Sequence, residues 1–249
     1  MPESEYLPAT EPLWFVSLQS LTGNGVFVCG SARTIALFAA VCRAVAFEGF
    51  DSVIKAFFCF VAGGCGLKVF ISGGCKNGKS MHAQRIAIRM RKPETPLYYL
   101  ATMIPADSED DARIMRHRSE REGWGFITVE TGHDFLSAVG NCDNSGTFLL
   151  DSVTALLAGE MFTPDGPVTD AYKKVAGDLM YIMSRIGDMV IVSDFIYSDA
   201  FLYDDLTDAF RYGLAYIDRQ MARLCDLVLE VCGGICIAHK GGDLCHGFY

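Results

Sequence analysis

The sequence predicts an α/β fold, a mainly parallel β-sheet with helices on both faces. Three observations carry this. From Lys68 onward, short runs rich in β-branched and aromatic residues alternate with longer helical patterns. The first of those runs leads into a glycine-rich loop and then into a helical run, the strand-to-helix order of a parallel sheet. The chain has 249 residues, 51% of them apolar and 20% charged, enough for one large domain or two small ones and too hydrophobic for a disordered chain.

Residues 1–67 read differently from the rest. The opening Met-Pro-Glu-Ser-Glu is acidic, so it offers no positive n-region and no ordinary secretory signal. The apolar stretches 34–42 and 56–67 are interrupted by Arg43, Glu48, Asp51 and Lys55. They fall short of the roughly 20 apolar residues that a membrane span needs, so none is expected. The segment is read either as a helical extension packed on the main domain or as sequence upstream of a natural start near Leu67 or Val69. No Met separates Met1 from Met81, and bacterial start codons can read formally as Leu or Val. The second reading is preferred, because the segment lacks capping and periodic signals. The remaining 68–249 form the predicted nucleotide-binding domain.

Within that domain, strands are predicted at 68–72, 97–102, 126–130, 147–150, 189–193 and 227–231. Helices are predicted near 79–91, 108–121, 168–187 and 204–224. In the last of these, Leu206, Phe210, Ile217, Met221 and Leu224 recur at intervals of three, four or seven and so share one face. Thr163-Pro164-Asp165-Gly166-Pro167 is a loop signal.

Gly73-Gly74-Cys75-Lys76-Asn77-Gly78-Lys79-Ser80 fits GxxxxGK[ST] at every fixed position. It follows a predicted strand and opens a predicted helix, so the fold is specifically of the P-loop NTPase type. Glycines let backbone N–H groups curl around phosphate oxygens, and the helix N-terminus adds positive potential. Lys79 would reach the β- and γ-phosphates, and the Ser80 hydroxyl would ligate Mg²⁺. Without ligand, Lys79 is expected to be a solvated cation. A second carboxylate is supplied by Asp151, at the end of Thr147-Phe148-Leu149-Leu150. It reads as a Mg²⁺ or phosphate-side group, as the N-cap of a helix over 152–158, or as both.

A third constellation lies in 107–121. Arg113, His117 and Arg121 are spaced four apart and share one helical face. Acids at the start and bases at the end also suit an ordinary solvated helix. The alternative is a histidine among cations that hold an anionic nucleotide. On the residues alone the solvated helix is preferred.

The net charge of −9 argues against a general nucleic-acid binder. The ten cysteines contain no CxxC pair, so neither a zinc site nor a thioredoxin-type motif is indicated. They are expected to be mostly reduced, buried residues of a cytoplasmic protein.

From Lys68 to about Lys240 the chain resembles the bifunctional adenosylcobinamide kinase / adenosylcobinamide-phosphate guanylyltransferase family of cobalamin biosynthesis. The family's GG-x-RSGKS loop is matched by 73–80, and its Y-I-A-T strand by Tyr99-Leu100-Ala101-Thr102. Its R-I-x-x-H-R-x-x-R helix is matched by Arg113-Ile114, His117-Arg118 and Arg121, and its acidic turn by Asp151-Ser152-Val153-Thr154. Lys76-Asn77 stands in place of Arg-Ser, and Ser193-Asp194-Phe195-Ile196-Tyr197 in place of S-N-E-V-G. The family's later N-Q pair reads Asp218-Arg219.

The resemblance implies two reactions. A nucleoside triphosphate, ATP or GTP, phosphorylates the aminopropanol hydroxyl of adenosylcobinamide. GTP then transfers GMP through a guanylyl-histidine, placed on His117, to give adenosyl-GDP-cobinamide. Lys79, Ser80, Asp151 and Mg²⁺ would hold the triphosphate, with Arg113 and Arg118 on the transferring phosphoryl group. The resemblance also implies a homotrimer and a corrinoid small-molecule substrate. Two further readings stay open, a P-loop kinase for another small metabolite without guanylyl transfer and a nucleotide-binding subunit without turnover.

Overall fold

The computed structural model describes residues 14–17, 27–30, 66–103, 114–116, 118–119, 121–131 and 135–247. The chain divides into two compact units, Met1–Val61 and Ala62–Tyr249. In the first, β1 (Trp14–Ser17) pairs antiparallel with β2 (Phe27–Gly30). Its described residues are strands. Trp14-Phe15-Val16 and Phe27-Val28 are aromatic and β-branched, the residue types that fit a pleated surface.

The second unit is built on seven strands: β3 (Lys68–Gly73), β4 (Leu97–Ala101), β5 (Phe126–Glu130), β6 (Thr147–Asp151), β9 (Asp188–Asp194), β10 (Leu227–Cys232) and β11 (Ile235–Lys240). Their order is β11-β10-β3-β9-β6-β4-β5, with every neighbouring pair parallel except β10 and β11. The mainly parallel sheet expected from the sequence is present. The six predicted strands match β3, β4, β5, β6, β9 and β10, each to within one residue at either end. The loop signal at 163–167 is a tight turn between two-residue strands β7 (Phe162–Thr163) and β8 (Gly166–Pro167).

Five helices are described in this unit: α1 (Lys79–Met90), α2 (Phe135–Gly140), α3 (Val153–Met161), α4 (Ala171–Arg185) and α5 (Asp205–Leu224). Residues 114–116 and 118–119 are also helical, inside the predicted 108–121 helix. Alternation along the strands separates two cores. Val69, Ile71, Leu149, Val190 and Val192 pack with Ala83, Ile86 and Ala87 of α1 on one face. Phe70, Phe148, Leu150, Met189 and Ile191 face the other way, onto α3, α4 and α5. Burial on both faces explains why these strands read as continuous apolar runs. The Asp204 side chain caps α5 by accepting from the backbone N–H groups of Leu206 (3.1 Å) and Thr207 (3.0 Å).

The described cysteine side chains are free thiols. Cys225 is buried, but Cys75 and Cys232 are exposed, because they lie at the open ends of β3 and β10. Cys142, Cys236 and Cys245 are partly exposed, so among the described residues the expectation of mostly buried cysteines does not hold.

The amino-terminal edge of the sheet is closed by polar groups. Lys68 is 6% exposed, and its ammonium donates to the carbonyls of Ile186 (3.0 Å) and Gly187, just past the end of α4. Asp188 accepts from the Leu67 N–H at 2.8 Å, and Asp226 from the Lys68 N–H at 2.9 Å. Lys68→Met keeps the aliphatic stem but removes the donor from those buried carbonyls. It is expected to cost about 3 kcal/mol of stability, read as a lower urea midpoint with unchanged slope.

Candidate functional site

The register places the polar groups. Gly73 lies beside Asp194, Asp151 beside Val192, and Ala101 between Asp151 and Glu130. Three carboxylates, Asp194, Asp151 and Glu130, thus stand at the carboxyl ends of β9, β6 and β5. The 73–80 loop leaves the same edge from β3, in the crevice where open α/β sheets bind ligands.

Gly73 is required by close approach: a Cβ there would fall against the Val231 carbonyl and the Asn77 amide. Gly78 is required by conformation, with φ +89°, in the left-handed region. It precedes α1 and provides no side-chain cap. The loop's turn is held by Asn77. Its amide donates to the Val231 carbonyl of β10, and its Oδ1 accepts from the Lys79 N–H at 3.2 Å. The departure from the family's Arg-Ser at Lys76-Asn77 therefore ties the loop to the sheet. Cys75 is exposed on the loop's rim.

Lys79 is not the solvated cation expected from the sequence. It is 7% exposed, its ammonium pairs with Asp194 Oδ1 at 2.5 Å, and it donates to the Gly74 carbonyl at 3.1 Å. The reason is register, which brings the end of β9 to within reach of the first turn of α1.

Ser80, Tyr99, Arg118, Arg121, Glu130 and Asp151 line one cleft beside the loop. Tyr99 joins two of them. Its hydroxyl donates to Asp151 Oδ2 at 3.0 Å, and its ring lies 3.6 Å under the Arg121 guanidinium, a cation–π contact. Arg118 pairs with Glu130 at 2.5 Å, both side chains being more than half exposed. Asp151 does not cap the following helix. Ser152 does, with its hydroxyl accepting from the Ala155 N–H at 3.3 Å. The cap reading of Asp151 is corrected accordingly, which leaves its carboxylate for the cleft.

The structure thus brings together Lys79, Ser80, Asp151 and Arg118 of the residues singled out from the sequence. His117 and Arg113 lie outside the described residues. Three residues were missed. Asp194 ends the apolar run Met189–Ser193 just as Asp151 ends its own, and that pattern could have found it. Arg121 was placed on a helical face and in the family's R-x-x-R match but given no role, and it is 6% exposed over Tyr99. Asp218, on α5, stands behind Asp194; it was noted only as a departure from the family's N-Q pair, and its local sequence does not mark it as buried.

Asp218 is 3% exposed and accepts from the Tyr197 hydroxyl at 3.0 Å. Burial, reinforced by the charge of Asp194 and partly offset by the nearby Ser193 and Tyr197 hydroxyls, pushes its carboxyl up to about 7. Tyr197 is likewise pushed up, by burial and by Asp218.

A model of the family described as cobinamide kinase / cobinamide phosphate guanyltransferase matches residues 69–238. The chain belongs to that family. The matched span runs from β3 into β11 and takes in the loop, the cleft and Asp194. No curated protein matches the chain. Solved structures similar to it include the flagellar accessory protein FlaH from Methanocaldococcus jannaschii, at 16% identity and TM-score 0.37, covering 71% of this chain and 79% of that one. A KaiC-like protein from Pyrococcus horikoshii OT3 is similar at 16% identity and TM-score 0.38, covering 70% of this chain and 78% of that one. No helix among the described residues is long and apolar enough to cross a membrane.

The raised Asp218 carboxyl has a defined effect on stability. The folded state binds this proton more tightly than the unfolded chain does. Stability is therefore full below about pH 4 and falls as pH rises toward 7. Asp218→Asn, which stays neutral, is expected to match the wild type near pH 4 and to exceed it at pH 8 by roughly 4 kcal/mol. Urea unfolding of both proteins across that range measures the gap.

Proposed function

We propose that this family member carries out both reactions that its resemblance implies. It phosphorylates the aminopropanol hydroxyl of adenosylcobinamide and then transfers GMP from GTP, by way of a guanylyl-histidine, to give adenosyl-GDP-cobinamide. The observation that supports this most directly is the meeting of the 73–80 loop with Ser80 and Asp151 in one cleft, in a chain whose family model spans that cleft.

In this reading the backbone N–H groups of Gly74–Ser80 cradle the phosphates, and Lys79 turns from Asp194 to the β- and γ-phosphates. Ser80 and Asp151 would hold Mg²⁺. Two hard oxygens fit that ion, which keeps several waters and takes its other ligands from phosphate, and among the described residues Asp151 Oδ1 has no protein hydrogen bond. When bound, Mg²⁺ supplies charge neutralisation at the phosphates. Tyr99 fixes the direction of the Asp151 carboxylate. Arg118 can leave Glu130 for a phosphoryl oxygen at little cost, because an exposed pair of this kind is worth about 0–1 kcal/mol.

His117 is assigned as the nucleophile toward the α-phosphorus of GTP. A neutral imidazole is a good nucleophile there. The incoming phosphate ester then displaces the guanylyl group from the ring.

Incubation with α-labelled GTP tests the histidine, and γ-labelled ATP or GTP with adenosylcobinamide tests the kinase step. Acid-labile, alkali-stable label on the protein marks a phosphoramidate. His117→Ala is expected to abolish that label while part of the kinase rate survives. His82, in α1, is the control and should carry none. Full labelling of the His117→Ala protein removes this histidine from the mechanism, and a wild type that takes no α-label favours a simple kinase. Lys79→Ala is expected to slow both reactions by at least about 100-fold with unchanged far-UV circular dichroism.

A further inference from the structure

We propose that Phe201 and Leu202, at the tip of the loop between β9 and α5, form the shelf on which the corrin macrocycle of the substrate rests while its aminopropanol arm reaches the phosphate loop. The proposal rests on the kinase reading above and adds substrate-positioning residues to it.

The described cleft leaves no room for a macrocycle. The space beside Ser80 and Asp151 has a volume of about 60 Å³. Pockets that enclose a ligand of drug size run to roughly 300–1,000 Å³. Among the described residues, the ring therefore has to lie on the surface outside the cleft, with the hydroxyl reaching in on its arm.

Leu202 and Phe201 are the most exposed large apolar side chains among the described residues, at 100% and 75%. Their loop starts at the mouth of the phosphate loop. β9 ends at Asp194, whose carboxylate holds the Lys79 ammonium, and the next N–H, of Phe195, donates to the Gly73 carbonyl at 2.9 Å. The shelf is thus continuous with the place where Lys79 would meet the β- and γ-phosphates.

The exposure is built into the loop. Tyr197 donates its hydroxyl to Asp218 at 3.0 Å and meets the Phe195 ring edge-on, with centroids 4.8 Å apart. Arg211 of α5 gathers the middle. Its guanidinium pairs with Asp199 at 3.0 Å and with Asp208 at 2.8 Å, and lies 4.5 Å from the centre of the Tyr203 ring. Asp199 also accepts from the Tyr203 hydroxyl at 3.1 Å and from the Phe201 N–H at 3.2 Å. Asp204 closes the loop by capping α5. Turning Phe201 and Leu202 inward would break these contacts. Two large apolar groups held out in water are unfavourable alone and favourable against a partner surface.

The surroundings select the occupant. Asp199, Asp204 and Asp208 are each engaged by Arg211, by Tyr203 or by the first turn of α5. The tip therefore suits a flat apolar ring with an amide rim better than an ionic partner. Phe195, Ile196 and Tyr197 stand where the family pattern has E-V-G, so the chain is more apolar between the shelf and the phosphate loop than that pattern.

The test is the double variant Phe201→Ala with Leu202→Ala in the full chain. Both side chains are exposed, so far-UV circular dichroism and ATP affinity should not change. The KM for adenosylcobinamide, measured with γ-labelled ATP, should rise about 10-fold or more while kcat stays within about 3-fold. The Kd for adenosylcobinamide, read by equilibrium dialysis from the corrin absorbance, should rise in parallel. Phe201→Leu with Leu202→Met, which keeps an apolar surface, should keep KM close to that of the wild type. Unmoved Kd and KM in the alanine variant, beside a competent wild type, overturn this proposal alone. So does a smaller oligomer by sedimentation velocity with Kd unmoved, which assigns the tip to a second copy of the chain. A wild type that binds adenosylcobinamide without phosphorylating it overturns the kinase reading, and the Kd of the alanine variant then decides the shelf by itself.

Discussion

The parallel register between β3 and β9 is the constraint on which the site depends. Gly73 opposite Asp194 sets where the loop starts and where its lysine finds a counter-charge. A slip of one residue would turn Asp194 to the other face of the sheet and send Val190 and Val192 out of the α1 core. The apolar faces thus hold the polar edge in place. Tyr99 belongs to both, packed in the α1-side core with its hydroxyl on Asp151.

Among the described residues, the three acids at that edge each have a partner. Asp194 has Lys79, Asp151 has the Tyr99 hydroxyl, and Glu130 has Arg118. Nucleotide binding in such a site is an exchange of partners in which no bare charge has to be stored. The exchanges differ in cost. The Arg118–Glu130 pair is solvent-screened and weak. The Lys79–Asp194 pair is mostly buried, so its loss must be offset by phosphate contacts of comparable strength. Behind them, burial and the charge of Asp194 favour the neutral form of the Asp218 carboxyl.

Much of this was legible in the sequence. The loop is local, so eight consecutive residues revealed it, and the buried strands showed as apolar runs at the right spacing. Asp151 was legible because it closes such a run. Asp194 closes another, yet its meaning depends on Lys79, which lies more than a hundred residues away in sequence, and no local pattern reports that contact. Arg121 and Asp218 are hidden for the same reason, since burial over Tyr99 or behind β9 is a tertiary fact. β11 was legible and overlooked. Gly233-Gly234, both with positive φ, join Cys232 to Ile235 in a two-residue hairpin turn, a strong short-range signal. The two strands of the first unit were missed because they are short and lack alternation.

Asn77 reaches across to the carbonyl of Val231, and Gly73 to the N–H of Phe195. During synthesis the phosphate loop emerges early, but the strands that brace it, β9 and β10, come late. β3 therefore waits, unpaired on both sides, while more than a hundred residues are added. Contacts of such long sequence separation make folding slow and leave an apolar strand exposed meanwhile. The nucleotide site is completed only once the ribosome has passed residue 231, so a chain interrupted before that point carries the motif without the braces that shape it.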